Sequence, residues 1–161
     1  MNRFIYKLDN AVRWRLLNAM DALVDYRICG RSLVKYVPSM DRDDAKGVGG
    51  TGSQSTHYAI LKRIFSHVTI TEKDTVLDVG CGKSRILAYF IQQGTPGRIC
   101  GIEHNAEVAR VAEAWAGRYE QLRVIAGDAL RLDYEPYTVL CLAGRFYRRR
   151  SSSFSEGLKG R

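Results

Sequence analysis

The segment Val76-Leu77-Asp78-Val79-Gly80-Cys81-Gly82-Lys83-Ser84 sets an acid ahead of small residues at two-residue steps. An apolar run precedes it and a helical pattern follows. Glycines at 80 and 82 let a backbone bend tightly and come close to a ligand, where a Cβ would collide. In an open parallel sheet such a turn lies beyond the carboxyl ends of the strands, where ligands bind. Glu103 and Asp128 close two later apolar runs. Three carboxylates behind one glycine bend form an acceptor set suited to hydroxyl, amino or cationic groups. Two phosphate-binding readings of the turn fail on named residues. A dinucleotide turn, G-x-G-x-x-G/A, needs a small residue at position 85, which is Arg85; its long side chain would prop the helix off the strand. A phosphate loop, G-x-x-x-x-G-K-[ST], matches Gly82-Lys83-Ser84 but needs glycine at 77, which is Leu77, and would find Asp78 inside its anion cradle.

These acids can act together only if a frame brings strand tips side by side. From Thr71 the pattern alternates: a strand at 75–80, a helix at 83–93 ended by Gly94, a strand at 98–103, a helix at 105–119 capped by Asn105, and strands at 123–128 and 137–143. Strands alternating with helices imply right-handed crossovers and a parallel sheet with helices on both faces. The fold class is α/β, a Rossmann-like doubly wound parallel sheet, incomplete at about four strands, with an N-terminal helical extension. An exposed edge is expected after the fourth strand. Three regions follow: N-terminal helices and a Gly-rich loop over 1–70, the Rossmann-like unit over 71–146, and a basic Ser/Arg tail over 147–161 that reads as disordered.

Within the first region, residues 3–28 read as one amphipathic helix. Phe4, Leu8, Val12, Leu16, Ala19, Leu23 and Tyr26 or Arg27 form its apolar stripe, widened by Ile5, Leu17, Met20 and Val24 and expected to dock against a sheet or a partner helix, with Arg13, Asn18, Asp21 and Asp25 off it. Use of this stripe on a membrane surface is disfavoured, because the polar side mixes acids with bases. The Gly-rich stretch 41–53 reads as a mobile loop, a linker or a lid over a ligand. A helix over 55–67 follows, capped by Ser53 or Ser55, with Tyr58, Leu61, Ile64 and Phe65 inward.

The run Val76–Ser84 resembles the first motif of class I S-adenosylmethionine-dependent methyltransferases, V-L-D-x-G-C-G-x-G. Ser84 replaces the last glycine, and looser packing is expected there. The resemblance extends from about Gly49 to Ala143 and implies S-adenosyl-L-methionine as cofactor. It implies that the Gly80-Cys81-Gly82 backbone lies against the methionine part, that Asp78 helps hold the ammonium side, that Glu103 takes the ribose hydroxyls, and that Asp128 with Ala129 meets the adenine. Carboxylates suit this ligand, which carries a sulfonium and an amine but no phosphate. The implied reaction is direct methyl transfer to an N or O acceptor, without metal or covalent intermediate. The acceptor (protein, nucleic acid or small molecule), the catalytic residues and the oligomeric state are left open; a non-catalytic module that binds cofactor, nucleic acid or a partner is the alternative. Residues 52–58 resemble the segment ahead of this motif in some lysine methyltransferase-like bacterial proteins, where Thr56 or Tyr58 would close over the cofactor.

The chain departs from this pattern after the fourth strand. Ala143-Gly144-Arg145-Phe146 stands where an N-P-[FPY] turn would hold an acceptor nitrogen, and the three further strands of the class are not legible. The expectation is a truncated or frameshifted chain near 140–145, with retained turnover uncertain. Translating the DNA in the other frames beyond that point should reveal an N-P-F-like turn and later strands; their lack would refute it.

The bulk composition excludes little. The 161 residues carry 25 Lys plus Arg against 17 Asp plus Glu, a formal charge of +8, and +5 of that excess lies after Gly144. A solvated tail explains it more simply than a nucleic-acid-binding face. Cys29, Cys81, Cys100 and Cys141 form no CxxC pair, so neither zinc nor redox chemistry is suggested. Scattered thiols, with no apolar run long enough for a membrane span or a signal segment, predict a cytoplasmic protein. His57, His67 and His104 are assigned no role.

Overall fold

The computed structural model describes residues 2–37, 42–43, 48–49, 53–142 and 145–148, and the side chains of 11–37, 53–142 and 147–148 among them. In chain order the elements are α1 (Asn2–Cys29), β1 (Arg42–Asp43), β2 (Val48–Gly49), α2 (Tyr58–Phe65), β3 (Thr75–Val79), α3 (Arg85–Gln92), β4 (Arg98–Glu103), α4 (Ala106–Ala116), β5 (Leu122–Ala126), a 3-10 turn (Ala129–Arg131), β6 (Val139–Leu142) and β7 (Arg145–Arg148).

The main sheet runs β5-β4-β3-β6-β7. Its first four strands are parallel, and β3, the strand of the glycine motif, lies between β4 and β6. Because side chains alternate across a strand, Val76 and Leu77 head two different cores. Val76, paired with Ile99 and Val139, joins Ile28, Leu61, Leu87, Phe90 and Trp115 beneath the four helices. Leu77, paired with Cys100 and Leu140, joins Ile102 and Tyr137 on the other face. Among the described residues that second face is covered by the β5-to-β6 crossover, with its 3-10 turn and partly buried Tyr134, rather than by a long helix.

Among the described residues the sheet has five strands where about four were expected. Arg145–Arg148 folds back antiparallel on β6, with Leu140 opposite Tyr147. The β6 edge expected to be open is therefore paired. The fifth strand is tied at its end: Arg148 Nη1 donates to Asp74 Oδ1 at 2.6 Å, and Nη2 donates to the Thr69 carbonyl. Asp74 also accepts from the Thr71 amide and hydroxyl and from the Thr138 hydroxyl. Burial alone would raise its carboxyl, but these donors outweigh it and hold the group well below the usual carboxylate range. Tyr147 and Arg148 thus belong to the sheet, and residues 149–161 of the expected tail lie outside the described residues.

The N-terminal helix is present over almost its expected span, but rotated from its expected face. Asp21 and Asp25 are buried, Asp25 completely, while Val12, Leu16, Met20 and Leu23 are exposed, Leu23 at 72%. Two carboxylates displaced an apolar stripe because Arg85, the first residue of α3, comes to meet them. Its Nη2 lies 2.6 Å from Asp25 Oδ2, its Nε 3.1 Å from Asp25 Oδ1, and its Nη1 3.1 Å from Asp21 Oδ2. His57 Nδ1 sits 2.6 Å from Asp21 Oδ2, the Tyr58 hydroxyl donates to Asp25, and the Leu33 amide donates to Asp25 Oδ2. Arg85, expected to prop its helix off the strand, reaches α1 instead. Of the Gly-rich stretch, 42–43 and 48–49 form a short antiparallel ladder, and the remainder up to residue 52 lies outside the described residues.

A buried ion network is fragile to loss of one member, which strands the others without a partner. Arg85→Met should lower unfolding free energy by about 3–5 kcal/mol in urea titration. Replacing Asp21, Asp25 and Arg85 together by leucine, leucine and methionine should recover much of that loss. A mild effect of Arg85→Met would contradict the network's role.

Candidate functional site

The glycine turn leaves the sheet between β3 and α3 and is left-handed at three alternate positions, Gly80 (φ +72°), Gly82 (φ +56°) and Ser84 (φ +67°). The Gly80 and Cys81 amides both donate to the Ile102 carbonyl, at 2.9 and 3.0 Å, which fastens the turn to the neighbouring strand. A Cβ at Gly80 would meet nothing within 4 Å, so the outer side of the bend is open. At Gly82 a Cβ would fall 2.6 Å from the Ser53 hydroxyl, which covers that residue. Cys81 turns inward, where its Sγ occupies the space a Cβ on Gly101 would need. Burial pushes its thiol up, well away from a thiolate nucleophile.

Ser84 does not loosen the packing. It is fully buried, and its hydroxyl donates to Cys81 Sγ at 3.2 Å. The difference from glycine lies in the backbone, because Ser84 is the one described non-glycine residue at positive φ.

Asp78, opposite Gly101 on β4 and Cys141 on β6, lies buried within β3 just below the bend. Burial pushes its carboxyl up to about 7; a hydrogen bond from the Cys141 thiol opposes this, and the charge of Glu103 adds to it. Glu103 ends β4 and grips the turn: Oε2 accepts from the Gly82 amide at 2.8 Å and Oε1 from the Asn105 amide at 2.9 Å. Each oxygen keeps a further lone pair. Asp78, Gly80, Cys81, Gly82 and Glu103 therefore form one cluster. Asp128 and Ala129 stand beyond the adjacent tip, two and three residues past the end of β5. The Gly127 amide, donating to the Glu103 carbonyl at 2.9 Å, links the two tips. Asp128 caps the 3-10 turn through the Leu130 amide at 2.9 Å.

Other residues around the bend escaped the sequence reading. Ser53 is placed by a bridge to Val37. Lys83 is buried and donates to the Lys35 carbonyl; burial lowers its ammonium to about 8, the Arg85 charge helping and Asp25 opposing. Trp115 donates its indole N–H to the Lys83 carbonyl at 3.1 Å. Gly82-Lys83-Ser84 matches only the end of a phosphate loop, a reading excluded by Leu77 and Asp78, and Lys83 instead ties the turn to the chain after α1. Tyr58 is committed to Asp25 rather than to a position above the turn, and Thr56 is exposed. No group of His, Cys, Asp and Glu among the described residues could hold a metal ion. A separate open cleft of about 450 Å³ lies at the opposite end of the strands, lined by Phe65, Ile70, Tyr89, Phe90 and Pro96.

A family model described as a methyltransferase domain matches residues 76–153. No curated protein matches the chain. Among solved structures, an RNA methyltransferase from Salinibacter ruber in complex with S-adenosyl-L-homocysteine is 26% identical at a TM-score of 0.46, covering 53% of this chain and 57% of that one. A protein-L-isoaspartate O-methyltransferase is 19% identical at 0.48, covering 66% and 33%. A dimethyladenosine transferase from Plasmodium falciparum is 21% identical at 0.44, covering 51% and 30%. The chain thus spans little more than half the length of the first of these and about a third of the others.

Two outcomes follow from the geometry of the bend. Ser84→Gly should stabilise the fold by about 1 kcal/mol in chemical denaturation, since glycine enters the left-handed region without a Cβ penalty; destabilisation would show that the hydroxyl contact outweighs the backbone term. Asp78, raised when folded, binds its proton more tightly in the native state. Its stabilising contribution is full below about pH 4 and is lost as pH rises through about 7. Asp78→Asn should remove that decline from the pH dependence of unfolding, and an unchanged profile would contradict it.

Proposed function

We propose that residues 76–153, which match a model described as a methyltransferase domain, are of the class I, S-adenosylmethionine-dependent type, and that the bend at 78–84 binds S-adenosyl-L-methionine for methyl transfer to a nitrogen or oxygen acceptor. The observation that carries the reading is a carboxyl held under an open left-handed glycine, beside a second carboxylate that grips the same turn. Among the described residues, the groups that act on Asp78 are Cys141 and Glu103, neither of them a cation. A cationic ligand above Gly80 would favour ionised Asp78 and relieve its burial.

Bound there, S-adenosylmethionine supplies an electrophilic methyl on a sulfonium. The chain's part is to hold and orient it. Asp78 would attract the ammonium, the backbone of Gly80, Cys81 and Gly82 would hold the methionine portion, and Glu103, its direction fixed by two amide bonds, would offer lone pairs to the ribose hydroxyls. Asp128 and Ala129, one strand over, stand where the adenine would reach. Methyl transfer depends on holding donor and acceptor in line, which is a matter of placement rather than of an activated protein nucleophile; the buried protonated Cys81 agrees with that. Cys29, Cys81 and Cys100, buried free thiols, agree with a cytoplasmic setting.

Calorimetry with S-adenosylmethionine tests the proposal. Binding should weaken at least tenfold in Glu103→Ala, as expected for loss of hydrogen bonds to a charged group. Between pH 5.5 and 7, where an amine of ordinary pKa stays protonated, affinity should rise with pH as Asp78 ionises, and Asp78→Asn should flatten that rise. Binding of ATP or NAD in preference to S-adenosylmethionine would overturn the reading.

A further inference from the structure

The outer face of α1 is left uncovered by the rest of the described chain. At 3.6 residues per turn, the steps from Val12 to Leu16, Ala19, Leu23 and Tyr26 trace one line along the helix, opposite Asp21, Asp25 and Ile28. All five residues of this line are exposed, and Met20 beside it is exposed at 64%. Arg13, Arg15 and Arg27 flank the line and are exposed too. The only acids between residues 11 and 29 are Asp21 and Asp25, and both are buried against Arg85. The mixture of charges read from the sequence is therefore sorted by the fold: acids inward, bases outward. What residues 11–29 present to solvent is an apolar stripe bordered by arginines.

We infer that α1 docks this face onto an anionic phospholipid surface, laying the chain on a bilayer without crossing it. No helix of the described residues is long and apolar enough to span a membrane. An interfacial helix buries its apolar line at the level of the acyl boundary and keeps arginines at the headgroups. Arginine stems suit the border because they extend along apolar surface while the guanidinium remains in the polar layer. Pairing with a second copy would bring arginine against arginine, with no exposed acid between 11 and 29 to neutralise them, so charge favours the lipid. The anionic cytoplasmic leaflet supplies the complementary sign.

Sedimentation of the full chain with phosphatidylcholine vesicles, with and without phosphatidylglycerol, tests this. The anionic vesicles should bind at least tenfold more protein, and added salt should release it. Leu16→Ser with Leu23→Ser should cut binding at least tenfold with an unchanged circular dichroism spectrum. Arg13, Arg15 and Arg27 changed to glutamine should each weaken it about fivefold, from roughly 1 kcal/mol per basic residue. Three results would overturn the inference: equal binding to neutral and anionic vesicles, binding that these α1 variants leave unchanged, or a dimer in ultracentrifugation that Leu23→Ser dissolves while vesicles bind nothing.

Discussion

A guanidinium with two carboxylates in a dry interior organises this molecule. Arg85 opens the helix that follows the glycine bend, and it is buried together with Asp21 and Asp25. None of these charges is tolerable there alone. The fork of Arg85 joins α1 to the first turn of α3, with His57 and Tyr58 of the next helical segment closing the remaining positions. Through it the N-terminal helix becomes a support for the bend, reinforced by Lys83 on the Lys35 carbonyl and by the bridge that seats Ser53 over Gly82. The same ion network decides which side of α1 faces outward, and so produces both the backing of the site and the basic apolar surface on the far side.

The bend itself works by exclusion of side chains and by opposed electrostatics. Left-handed geometry at 80 and 82 keeps Cβ atoms away from the open side, while Cys81 fills the space left by Gly101. Below the bend burial favours the neutral form of Asp78; beside it Glu103 is fixed by two backbone amides. The result is a site with acceptors in place and a carboxyl poised to ionise near neutral pH, a balance that a cation shifts.

Much of this was legible in the residues. Short apolar runs located the four parallel strands to within two residues at each end, Asn105 marked the start of α4 and accepts from the amides of Glu107 and Val108 as a cap, and the acids at 78, 103 and 128 were recognisable from their places in or after apolar runs. What was not legible depended on pairing at long range. The face of α1 was misassigned because helical periodicity scores Leu23 above Asp25, and nothing local shows that an arginine sixty residues later will neutralise the aspartate. Arg85 was taken as an obstacle for the same reason. Residues 145–146 read as the turn after the fourth strand and 147–148 as the start of the tail; pairing with β6 and the Asp74–Arg148 contact make all four a strand. Ser84 was read by size, whereas its backbone angle is what distinguishes it from glycine.

The central claim is that a cationic adenosyl ligand sits on the bend between β3 and α3, beside the tips of β4 and β5. Amide hydrogen–deuterium exchange with and without S-adenosylmethionine tests it most directly, because it reports where protection appears. The account predicts slowed exchange over 79–83, 103–105 and 127–130. Protection confined to the cleft at the other end of the strands, around 65–70 and 93–96, or none at all at saturating ligand, would contradict it.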